Sequence, residues 1–146
     1  PVCKAAFSDA KSSDRRVVLS SATGDAVFAF CRDAGADQDA GLAIFDRSER
    51  AFGTLRADGP RPADGYSVES ARSGWRMRFR GNPADHDLKA SDDSGSSLAA
   101  IEAHGAAHCS VRVGPRADAG LVVLAVLGID LLLLAGSEDD TCGTLP

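Results

Sequence analysis

Hydrophobic and polar positions divide the chain into two regimes. Up to about residue 114, short apolar runs alternate with clusters of Gly, Asp, Pro and Ser. The runs occupy 15–20, 26–31, 41–46, 51–56, 65–70, 75–80, 86–91, 97–103 and 108–113. Each has the length of an ordinary β-strand, and the separators 33–37, 58–62, 81–85 and 91–95 carry turn chemistry. The second regime is one long run, AGLVVLAVLGIDLLLLA at 119–135.

Residues 75–80, WRMRFR, show the strand period most clearly. Trp75, Met77 and Phe79 face one way, and Arg76, Arg78 and Arg80 the other. An antiparallel sheet with one dry and one wet face produces that alternation. Residues 41–55 read as a hairpin around a polar turn at 47–50, and 86–101 repeat the plan around 92–95. Residues 1–14 read as an irregular arm and 137–146 as an acidic tail, with one domain, 15–136, between them.

The run at 119–135 predicts a helix. Pro115 and the candidate N-cap Asp118 precede it, and Gly136 closes it. Leu121, Val122, Val123 and Leu124 cover a full turn, so the helix is apolar all round and has to be surrounded by protein or by lipid. At 1.5 Å per residue it spans about 25 Å, short of a hydrocarbon core of about 30 Å. Asp130 near its end suits protein better, since an aspartate costs about 2.5–3.5 kcal/mol at a bilayer centre. Strands that close on themselves have no exposed edge, and their inner faces need filling. The pattern therefore predicts a mainly β fold, a closed antiparallel β-barrel wrapped around a central hydrophobic C-terminal α-helix.

Composition changes this picture little. The 146 residues are 44% hydrophobic and 25% charged, which is ordinary for a globular domain. A net charge of −5 argues against nucleic acid as a partner. Lysine is confined to Lys4, Lys11 and Lys89, so arginine supplies most of the positive charge. None of the four cysteines, Cys3, Cys31, Cys109 and Cys142, forms a C-x-x-C pair. They allow three disulfide connectivities, but reduced thiols, with Cys31 and Cys109 inside strands, are the simpler reading. The chain starts at Pro1, as a processed form or a piece of a longer chain would, and the start gives no compartment. An intracellular, membrane-associated location is the expectation, organellar if the chain is processed.

The stretch 111–130, VRVGPRADAGLVVLAVLGID, resembles the end of the tubby C-terminal-like superfamily, notably its LURP-one-related and phospholipid-scramblase-like members. There a valine–polar–valine strand leads through a proline and an aspartate into a hydrophobic helix. Residues 41–46, 75–81 and 91–100 are similar to that family's hairpins, and the likeness runs from about 24 to 135. It implies a twelve-stranded closed barrel around a buried helix, with basic residues outside that contact phosphoinositide headgroups in some members. The lysine-rich headgroup site of tubby proteins has no counterpart among these residues.

Candidate chemistry is sparse. Arg76, Arg78 and Arg80, with Lys89 near, form a possible stripe for phosphate headgroups or acidic partners, on a face that also reads as a solvated strand face paired with nearby Asp and Glu. His104, His108 and Cys109 cluster, but no third or fourth metal ligand stands at a usual spacing. Asp33, Asp37 and Asp39 superficially suggest a calcium loop, but the EF-hand register fails. No nucleophile elbow, phosphate-cradling glycine loop or paired-carboxylate motif is present, and no cofactor is implied. The expectation is a non-enzymatic, tubby-like binding or scaffolding module that contacts membrane phospholipid or a protein partner. The alternative is an accessory structural subunit of a larger organellar membrane complex, photosynthetic or respiratory.

Overall fold

The computed structural model describes residues 3–7, 15–34, 41–106 and 108–136. Ten strands follow one another: β1 Cys3–Phe7, β2 Arg16–Ser21, β3 Val27–Asp33, β4 Gly41–Asp46, β5 Ala51–Ala57, β6 Tyr66–Ser70, β7 Arg76–Asn82, β8 Asp87–Asp92, β9 Ser97–Ala103 and β10 Cys109–Val113. One helix, α1, Ala119–Gly136, ends the described chain. Each predicted run is a strand to within two residues at either end. Within the predicted arm, Cys3–Phe7 is not irregular but forms β1. The acidic tail 137–146 lies outside the described residues.

All strands belong to one antiparallel meander, each pairing with its neighbours in sequence order. The predicted closure into a barrel is not observed. β1 and β10 are the two edges of an open sheet and do not pair with each other. The expectation treated edge pairing as the only way to enclose a greasy helix. A coiled sheet encloses part of the helix without it, with α1 packed against β2, β3, β5 and β10. Register shifts at Leu19/Ser20, Ile44/Phe45 and Ala90/Ser91 mark bulges, which bend strands and raise local twist.

The concave face and α1 form the core. Val17, Leu42, Leu55, Val68, Met77, Phe79 and Ile101 from the sheet, with Val122 and Ala125 from the helix, are all fully buried. Asp118 caps α1 as predicted: its carboxylate accepts from the Leu121 N–H at 2.8 Å. Gly120 faces Leu19 of β2, and Gly128 fits into a notch lined by Cys31, Leu42 and Leu55 of β3, β4 and β5. A Cβ on Gly128 would stand 2.6 Å from Leu55 Cδ2 and 3.3 Å from Leu42 Cδ1. The helix is not covered all round. Val123 and Leu127 are half-buried, and Leu134 is 57% exposed. These three share one helical stripe.

Candidate anion-binding face

Strand alternation puts the predicted basic residues on the convex face, behind the core. On β7, Met77 and Phe79 point inward, so Arg76, Arg78 and Arg80 point outward. Cross-strand register arranges them in rows. One row runs Arg56, Ser67, Arg78, Ser91 across β5 to β8. The next sets Arg80 against Lys89. Arg76 stands opposite Glu69. The four predicted residues therefore share one surface, and Arg56, which sequence reasoning missed, joins them. Its signal was the register of β5 against β6, which short strands do not reveal before they are paired.

Carboxylates interleave with these cations. Glu69 lies between two arginines, ion-pairing with Arg76 and approaching Arg56 at 3.9 Å. Arg80 meets Asp58 at 2.9 Å, and Asp58 also accepts from the Ser67 hydroxyl. Arg78 reaches Asp93 at 3.4 Å. Lys89 has no ion-pair partner among the described residues, although Asp87 shares its face two positions away. Every arginine in the group keeps a third to a half of its side chain in solvent, where ion pairs are worth about 0–1 kcal/mol. A dianionic phosphate, accepting several charge-assisted hydrogen bonds at once, competes with pairs of that strength.

Other candidates end up elsewhere. His104 Nε2 lies 3.0 Å from Ser110 Oγ, and its backbone N–H donates to the His108 carbonyl at 2.7 Å, so these residues close the β9–β10 hairpin. Among the described residues, no group of three His, Cys, Asp or Glu side chains is arranged to hold a metal ion. The proposed calcium loop falls largely on 35–40, outside the described residues; Asp33 itself forms a two-point pair with Arg15 at 2.8 and 3.0 Å. Cys3, Cys31 and Cys109 are free thiols, and burial pushes the Cys31 thiol up to about 11. Cys142 is outside the described residues.

No family model, curated protein or solved structure matches the chain.

Two features were not visible in the sequence. Asp130, near the end of α1, meets His86: Nε2 stands 3.0 and 3.1 Å from its two carboxylate oxygens. The partners are 44 residues apart, and His86 occupies the left-handed region at φ 50° in the β7–β8 turn. The pair ties that turn to α1. The second feature is an aromatic and arginine ladder on the convex face of β2 to β4. Phe30 and Phe45 stack at 5.0 Å, with the Arg16 guanidinium 4.4 Å from the Phe30 ring centre and that of Arg32 4.8 Å from the Phe45 ring centre.

Proposed function

We propose that the chain is a non-enzymatic binding module whose convex basic face takes an anionic phospholipid headgroup at a membrane surface. One observation carries this reading: five cations, Arg56, Arg76, Arg78, Arg80 and Lys89, gather on the outer face of β5 to β8, the four arginines in ion pairs that keep a third to a half of each arginine side chain in solvent and Lys89 in none among the described residues. Cross-strand register sets the cations in neighbouring rows, and planar guanidinium groups suit a bidentate fit to phosphate oxygens. Flotation with liposomes containing anionic lipid tests the reading, comparing the parent with the Arg76→Glu, Arg78→Glu, Arg80→Glu triple variant. Binding should disappear in the variant and weaken with added salt in the parent. Equal flotation of the two proteins removes the proposal.

The partly exposed stripe of Val123, Leu127 and Leu134 on α1 favours a second reading, an accessory subunit docked in a larger organellar membrane complex. α1 is long and apolar enough to cross a membrane by length and composition. Alkaline carbonate extraction separates the readings: a surface-bound module is released, and an embedded subunit stays with the membrane pellet.

A further inference from the structure

We propose that two copies of the chain pair through β1, edge to edge and antiparallel, as a two-fold dimer. The sheet has two open edges, and they are not alike. β10 lies against the core, with Val111 and Val113 packed on it, and its Arg112 is held by Glu102 of the neighbouring strand. β1, at the other edge, is largely exposed. Cys3, Lys4, Ala6 and Phe7 are all exposed, and only Ala5 is half-buried. Register puts Phe7 on the same face as the fully buried Val17, yet Phe7 is 50% exposed. Ala5 stands opposite Leu19, which abuts Gly120, and half-buried Val123 follows one turn along α1. An apolar inner face thus continues out to a strand that, among the described residues, pairs with β2 alone.

Such an edge offers a row of main-chain donors and acceptors to another strand. Edges are usually protected by charge, and β1 carries only Lys4. Its sequence, CKAAF, is also complementary to itself. Antiparallel pairing about Ala5 sets Cys3 against Phe7 of the second copy, Ala5 against Ala5, and Lys4 against Ala6. Inner faces then meet inner faces, and the two lysines do not oppose each other. A two-fold contact of this kind closes on itself and leaves β10 outermost on both sides.

Size exclusion with light scattering on the full chain gives the first test. The mass should rise with concentration to twice the 15.1 kDa of one chain. Phe7→Glu should raise the dimer dissociation constant roughly tenfold or more, since it buries a charge against Cys3 of the other copy. Register is tested by cross-linking. In a chain with Cys3, Cys109 and Cys142 changed to Ser, Ala5→Cys should form an intermolecular disulfide under mild oxidation and Lys4→Cys should not. Far-UV circular dichroism checks that each variant folds, and if Phe7→Glu does not, the cross-linking pair decides alone. A monomer at every concentration, a dimer indifferent to Phe7→Glu, cross-linking at position 4 in place of 5, or open-ended polymers from β1 joining β10 would each overturn the proposal.

Discussion

The two faces of β7 are built from neighbouring residues and obey different rules. Met77 and Phe79 are fully buried against the inner faces of β6 and β8 and belong to the core that α1 fills. Arg76, Arg78 and Arg80, one residue away on either side, stand partly in water and pair with acids that also reach solvent. The inner face is fixed by volume, and the outer face by charges that can exchange partners. Stability should therefore be sensitive to the inner positions, and ligand binding to the outer ones.

The largest effect expected from this contrast is at Phe79. Phe79→Ala removes a ring with no solvent exposure and should cost about 3–5 kcal/mol in urea unfolding. Arg78→Ala on the same strand should cost no more than about 1 kcal/mol. Similar losses at the two positions would break the comparison. Next in size is Gly128→Val, which forces a branched side chain into the notch formed by Cys31, Leu42 and Leu55. Overpacking there should cost about 1–3 kcal/mol, seen as a lower midpoint with an unchanged urea slope. Asp118→Ala leaves the Leu121 N–H without its cap and should cost about 1 kcal/mol by the same measurement.

The smallest expected effect is in the β8–β9 turn. Asp92 accepts from the Ser94 hydroxyl and from the Ser96 and Ser94 backbone N–H groups, in falling order of influence, and these hold its carboxyl below the usual carboxylate range. Its folded pKa is depressed, so the stability it contributes is present above the ordinary carboxylate value. That stability is lost as pH falls through the folded value. A parent-minus-Asp92→Ala difference in unfolding free energy should be constant from neutral pH down to the ordinary carboxylate range and shrink below it. A difference that grows on acidification has the wrong sign for this turn.

Local pattern was enough to read most of the elements. Alternation in WRMRFR, the turn residues of 92–95 and the cap at Asp118 each act over a few residues, and each has the predicted structure. What escaped depends on distant pairing. CKAAF is too short and too plain to announce a strand, and only its register with β2 makes it one. The open edge escaped for a related reason. A helix apolar on every side is compatible with a closed wall or a coiled open one, and hydrophobicity alone does not count how many strands complete the turn. Of the site, the outward direction of Arg76, Arg78 and Arg80 was legible from period two. Pairing with acids was expected, but which acids was not legible, because Asp58, Glu69 and Asp93 arrive from other strands and turns.

The order of elements has a consequence for synthesis. The segment that fills the concave face leaves the ribosome after every strand it supports. At about 5–20 residues per second, the strands emerge seconds before that segment can dock. A nascent chain ending before Ala119 carries Leu42, Leu55, Met77 and Phe79 with no helix to cover them. Chaperones that hold exposed apolar surface should therefore engage stalled chains of that length and release them once Leu131 is free to seat.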